Sequence, residues 1–230
     1  IIDSLCYWAS EYHIDGFRFD LMGVLDIETL NEARKALLKI NPDIIMYGEG
    51  WTGGESTLPE SERGMKINAP RTPGIGMFSD DIRDAVKGHV FYMDELGFVN
   101  GAADRGEELK QAVTCAKWAK SPMQSINYLS CHDNYTLWDR FIISNSHESE
   151  EMRIRMNKLA AAILFTAQGI PFFLHGEEFA RTKISEADGT PVENSYCSPL
   201  SVNAIDYDRA EQFSDLKAYY KGLIALRRAH

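Results

Sequence analysis

The chain of 230 residues fits a single domain of α/β size, and its 44% apolar and 25% charged content supplies enough apolar material for a sizeable core. A formal net charge of −10 disfavours nucleic acid and anionic membrane surfaces, both of which want a basic face, and suits a neutral substrate. No apolar run reaches the roughly 18 residues of a membrane-spanning helix, so no membrane partner is expected.

Taken in chain order, Ile1, Ile2, Leu5, Trp8, Ala9 and Tyr12 recur at helical spacing, so an amphipathic helix runs from the first residues. With neither Met nor a charged-then-apolar leader ahead of it, the chain reads as part of a longer protein whose targeting signal lies elsewhere. The run HIDGFRFDLMG, His13 to Gly23, reads as a short buried strand from about Asp15 to Leu21 that ends on charge. A helix is predicted from Ile27 to Ile40. Its apolar stripe is Ile27, Leu30, Ala33, Leu37 and Ile40, Asp26 is its N-cap, and Asn41-Pro42 stops it.

A second buried strand, Ile44 to Tyr47, delivers GEGW. Residues 52–73, rich in Gly, Pro, Ser and charge, form a long irregular excursion of the kind that is usually functional. A strand at Gly76–Ser79 leads into a helix at Asp80–Lys87, followed by a second irregular stretch. A helix from Glu107 to Lys117 precedes a strand at Ser125–Ser130, which delivers CHDN. Helices at Glu151–Gln168 and Ala210–Arg228 bracket a strand at Ile170–Leu174, and the stretch Leu159–Ala167, apolar nearly all round, should be well buried. Alternating strands and helices imply a parallel α/β sheet, and its five strands are too few to close an eight-stranded barrel.

The four cysteines, Cys6, Cys115, Cys131 and Cys197, lack C-x-x-C spacing, which argues against a zinc site and a disulfide framework. They read as free buried thiols, and favour a cytoplasmic over a secreted setting without fixing the compartment. Asn134-Tyr-Thr136 fits a glycosylation pattern but falls within the candidate site, and is read as accidental.

The chemistry is carried by Asp20, Glu49 and Asp133, each following an apolar strand and preceding a loop or helix. That is where α/β barrels place catalytic groups. Retaining cleavage of a glycosidic bond needs one carboxylate to attack the anomeric carbon and one carboxylic acid to protonate the leaving oxygen. Arg18 lies two residues before Asp20, hence on the same strand face, where opposite charge keeps a nucleophile ionised. Glu49 sits between glycines beside Trp51, an apolar neighbour that suits an acid catalyst. Asp133 and His132 are placed to hydrogen-bond sugar hydroxyls. Taken singly, each has a structural reading: Arg18–Asp20 as a plain salt bridge, Glu49 as a turn residue, His132 as a satisfied histidine.

HIDGFRFDLMG, YGEGW and YLSCHDN resemble three signature regions of the α-amylase superfamily of glycoside hydrolases. The flanks DIETLNEARKALLKINPDIIMYGEGW, FSDDIRDAVKG, INYLSCHDNYTLWDR, QGIPFFLHGEEFARTK and ENSYCSP are similar to the type I pullulanase branch, over nearly the whole chain. The resemblance implies a partial (β/α)8 TIM barrel, with residues 1–230 holding its C-terminal five βα units, strands four to eight, and no separate domain. It implies retaining hydrolysis of α-1,6-glucosidic branch linkages in pullulan, limit dextrin or glycogen-type α-glucans, so that an α-glucan polysaccharide or oligosaccharide is the expected partner.

By the same resemblance Asp20 is the nucleophile with Arg18 its partner, Glu49 the general acid/base and Asp133 the transition-state-stabilising carboxylate. His132 binds substrate, Trp51 is a stacking platform for sugar, and Asn134 and Tyr196 contact substrate. Trp138 divides between the cleft and the core, and Tyr196 between substrate and turn packing. The family's earliest signature, an aspartate followed by Asn-His, and the YNWGY motif are absent from this sequence, so the chain alone is expected to be inactive and poorly stable. No cofactor is expected; the superfamily often carries structural calcium, but no oxygen-ligand cluster here supports one. The alternatives are another α-glucan-active enzyme (isoamylase, branching enzyme or α-1,4 hydrolase) and a non-catalytic carbohydrate-binding protein.

Overall fold

The computed structural model describes residues 1–230, which divide into two compact units. The first comprises Ile1–Ser79 and Cys115–Ile126, the second Asp80–Thr114 and Asn127–His230. Five strands follow one another in chain order across one sheet, β1 (Gly16–Phe19), β2 (Ile45–Gly48), β3 (Gly76–Ser79), β4 (Ser125–Asn127) and β5 (Ile170–Pro171).

In the first unit, β1 pairs with β2 in parallel, Arg18 opposite Tyr47 and Phe19 opposite Gly48. β2 pairs with β3 in parallel, Tyr47 opposite Gly76 and Gly48 opposite Met77. Helix α1 (Ile2–Tyr12) packs on α2 (Ile27–Leu37). α2 forms where the stripe Ile27, Leu30, Ala33 and Leu37 is buried, and Asp26 caps it by accepting from the backbone N–H and hydroxyl of Thr29, each at 2.7 Å. Those two hydrogen bonds hold the Asp26 carboxyl below its ordinary pKa. The cap stabilises α2 by about 1 kcal/mol and each fully buried leucine by roughly 1.5–3 kcal/mol. Met22, Met46, Ile44, Ile75, Met77 and Ala69 complete this core. Residues 52–73 hold two 3-10 turns, one at Glu60–Glu62 and one at Lys66–Arg71, and between them Arg63 forms an antiparallel bridge to Asp26.

In the second unit, α3 (Asp80–Lys87) and α4 (Gly106–Thr114) pack together. Helix α6 (Glu150–Thr166) packs on α9 (Ser214–Ala229), and α5 (Leu137–Ser144), α7 (Leu200–Asn203) and α8 (Asp208–Gln212) complete the set. Leu129, Leu137, Trp138, Phe141, Ala160 and Leu164 are central in its core. The irregular stretch after α3 is ordered by fully buried Arg140, which donates to the carbonyls of Tyr92 (3.2 Å) and Glu95 (2.9 Å). Phe172 N–H donates to the Asn127 carbonyl at 2.7 Å, joining the ends of β4 and β5.

Several expectations are corrected. β1 is half-buried along its length rather than buried. The stripe of α2 ends at Leu37; Ile40 lies in the turn beyond it and is exposed. Ile45 is exposed, so only Ile44 and Met46 of that run enter the core. Leu159 is exposed, so α6 keeps a solvent face. The helix read from Ala210 is broken at Phe213, where ψ of 37° leaves the helical range. Three cysteines are half-buried and Cys197 is exposed, all four free.

Candidate active site

β1 and β2 present two acidic residues at their C-terminal ends in the first unit. Asp20 directly follows β1 and Glu49 directly follows β2. Arg18 serves both. It donates through Nη1 to Asp20 Oδ1 and through Nη2 to Glu49 Oε1, the latter at 2.5 Å. The alternation of the strand puts Arg18 and Asp20 on one side, and the parallel register brings Glu49 to the same guanidinium. The two carboxyl groups differ in surroundings: the Glu49 side chain is 3% exposed and that of Asp20 63%. A buried carboxylate needs partners for both oxygens. Glu49 Oε2 has the backbone N–H of Leu21 at 2.8 Å.

Leu21 reaches that position in a left-handed conformation, φ 44° and ψ 48°. Such a backbone costs a bulky residue about 1–3 kcal/mol and persists where the surroundings over-determine it. Next to it, Gly23 donates its N–H to the carbonyls of Glu49 (3.2 Å) and Trp51 (3.1 Å). A Cβ on Gly23 would lie 2.6 Å from the Trp51 carbonyl, so only glycine fits. Trp51 itself is half-buried, with Lys66 Nζ 5.5 Å from its ring centroid, a cation–π contact.

In the second unit, His132 Nε2 lies 3.6 Å from Asp133 Oδ2, both side chains about half exposed. Asn134 follows in a left-handed conformation, φ 59°, so Asp133 and Asp20 are each succeeded by a residue at positive φ. The Asn134 N–H donates to Asn194 Oδ1 at 3.0 Å, and its carbonyl accepts from Lys183 Nζ at 2.9 Å. Ser130 donates to Glu177, which is fully buried and carries its carboxyl pKa up to about 7 through desolvation. Lys87, equally buried, is pushed down to about 7 by the same cause.

No protein-family model matches the chain. It is 41% identical over 237 residues to the pullulanase of Bacillus subtilis, an alignment covering 100% of this chain and 32% of that protein. Among solved structures, the pullulanase of Paenibacillus barengoltzii, crystallised with maltohexaose and alpha-cyclodextrin, matches with a TM-score of 0.92 and 47% identity, covering 100% of this chain and 36% of that one. The pullulanase of an Anoxybacillus species, complexed with maltotriose, matches with a TM-score of 0.94 and 45% identity, covering 100% and 32%. The chain belongs to the pullulanase family. It spans about a third of the length of the pullulanases it matches, and its parallel strands and helices are part of their catalytic barrel fold.

Within this pullulanase-family chain the structure groups Arg18, Asp20 and Glu49 in one unit, and His132, Asp133 and Asn134 in the other. Trp138 is a core residue, 4% exposed and edge-on to Phe213. Tyr196 lies two residues past Asn194 and is 85% exposed. Sequence reasoning missed the Leu21 N–H, Glu177 and Lys183. A run of Gly23 two residues after Leu21 hinted at the first. HGEEF, part of the flank QGIPFFLHGEEFARTK, places Glu177 at the start of the turn after β5.

Proposed function

We propose that the protein carrying this chain is a retaining glycoside hydrolase that cleaves α-1,6-glucosidic linkages in α-glucans such as pullulan or limit dextrin. The reading is carried by one observation: a single guanidinium, Arg18, holds Asp20 and Glu49 at the ends of adjacent parallel strands, in a chain of the pullulanase family. Retention requires two carboxyl groups within about 5–5.5 Å, a separation that sharing one guanidinium favours. Asp20, the exposed carboxylate, attacks the anomeric carbon, and Glu49, shielded from water, protonates the leaving oxygen and then activates water. Asp133 supports the charge that develops on the ring. Arg18, Trp51, His132, Asn134 and Tyr196 complete the substrate-binding set, Trp51 through stacking. The maltooligosaccharide complexes of the Paenibacillus and Anoxybacillus pullulanases support an α-glucan as ligand. The barrel domain to which residues 1–230 contribute is proposed as one folding domain with no second one inside this chain.

Products from pullulan and from linear amylose test this. Release of maltotriose from pullulan is expected. Cleavage of amylose with pullulan untouched would assign the protein to α-1,4 hydrolysis instead, and binding without turnover of either would make it a carbohydrate-binding protein.

A further inference from the structure

The loop that carries Asp133 is fastened from one side by the segment after β5. The Asn134 carbonyl accepts from Lys183 Nζ at 2.9 Å, and the same ammonium donates to the Glu193 carbonyl at 3.1 Å. The Asn134 N–H is taken by Asn194 Oδ1. Both main-chain groups of a left-handed residue are therefore fixed by side chains 49 and 60 residues away. Lys183 is 2% exposed, unusual for a lysine, and its own N–H donates to buried Asp139 Oδ2 at 2.9 Å. Thr182 also donates to Asp139, whose backbone N–H donates to the hydroxyl of Thr136 at 3.1 Å, capping α5. The base of Lys183 is thus anchored to the helix that follows the loop, while its ammonium reaches back over the loop itself. Such a lysine has no surface role to explain it. A buried ammonium is retained at a desolvation cost only where its hydrogen bonds are needed.

We infer that Lys183 is a positioning residue: it clamps the backbone at Asn134 to the Glu193–Tyr196 loop and so sets the placement of Asp133. The inference rests on the proposed role of Asp133. A displacement of about 1 Å in a catalytic group can cost roughly a hundredfold in rate, and release of the clamp also loosens Asn134 and Tyr196 of the proposed substrate-binding set. The signature is therefore a loss in kcat that exceeds any rise in KM.

In the protein that carries this chain, Lys183→Met is expected to lower kcat on pullulan by roughly 10- to 100-fold, with a smaller rise in KM, about several-fold at most. Asn194→Ala, a change at an exposed position, is expected to lower kcat several-fold at an unchanged melting temperature. Amide exchange across residues 131–136 should speed up in both. Parental kcat in a folded Lys183→Met, or in Asn194→Ala where Lys183→Met fails to fold, would overturn the inference, as would unchanged exchange or an effect confined to KM. Asp133→Asn is the reference: if it turns over at the parental rate, the role of Asp133 falls, and the exchange measurement alone still decides whether the clamp exists.

Discussion

The backbone N–H of Leu21 and the side chain of Arg18 divide the two oxygens of Glu49 between them, the first at Oε2 and the second at Oε1. The first contact is built into the turn after β1, so it survives any side-chain substitution that keeps the turn. The second depends on a planar fork able to reach Glu49 and Asp20 together. A lysine ammonium is a point charge and cannot span both in that geometry. Arg18→Lys is therefore expected to lower kcat roughly a hundredfold while moving the melting temperature by only a few degrees. Steady-state kinetics on pullulan beside a thermal melt would check both halves.

Replacing the proposed attacking atom is expected to be more severe. Asp20→Asn leaves the shape of the site and its mostly exposed position intact but removes the proposed nucleophile. Turnover should fall by at least roughly a thousandfold, with glucan affinity by calorimetry within a few-fold of the parent. A variant that still hydrolyses pullulan normally would refute the assignment.

Gly23→Ala tests the close approach of two chain segments. The new methyl would meet the Trp51 backbone 2.6 Å away, and backbone, unlike a side-chain tip, has no easy retreat. The expected cost is roughly 1–3 kcal/mol of stability, read by denaturant unfolding, together with lower kcat because Glu49 is carried on the displaced segment.

Burial of Glu177 and Lys87 makes stability depend on pH. With its pKa raised to about 7, folded Glu177 holds a proton that the unfolded chain, near 4.5, has released, so this residue's contribution declines as pH rises from about 4.5 to 7. Lys87, lowered to about 7 from 10.5, works oppositely: the unfolded chain binds the extra proton above pH 7, so its contribution climbs from there towards 10.5. The pair alone gives a stability minimum near neutrality. Glu177→Gln should flatten the acidic limb, a difference of roughly 1–3 kcal/mol, seen as melting temperature against pH. A limb of unchanged slope in that variant would show that other groups produce it.

The legible parts of the fold are those with a strong local code. β3 and α3 lie at the boundaries that Gly76–Ser79 and Asp80–Lys87 imply, and Asp26 caps α2 as its letter and position suggest. β4 and β5 are shorter than their apolar runs, because side chains go on entering the core after ladder pairing stops: Tyr128 and Leu129 are buried beyond the end of β4. α5 hides inside a motif that draws the eye to chemistry, although Thr136 and Asp139 spell a start signal. In the site, period two puts Arg18 beside Asp20 on paper. Glu49 joining them needs the register between strands, which no single segment encodes. Lys183 looks like any loop lysine until its burial is known, and a backbone N–H such as that of Leu21 has no letter at all.

The seat of Glu49 lies entirely upstream of residue 52: Arg18, the Leu21 N–H and the Gly23 N–H hold it, and Gly23 also pins the Trp51 carbonyl. The excursion over residues 52–73 begins just after that pin and returns to the sheet at β3. Its second half is fastened back to the segment that carries Glu49: the Lys66 N–H donates to the Gly50 carbonyl at 3.2 Å, Lys66 Nζ rests on Trp51, and the Gly64 N–H donates to the Leu25 carbonyl at 2.8 Å. A redesign of this loop has therefore to spare Gly64, Lys66 and Ala69 if the backbone on either side of Glu49 is to keep its place.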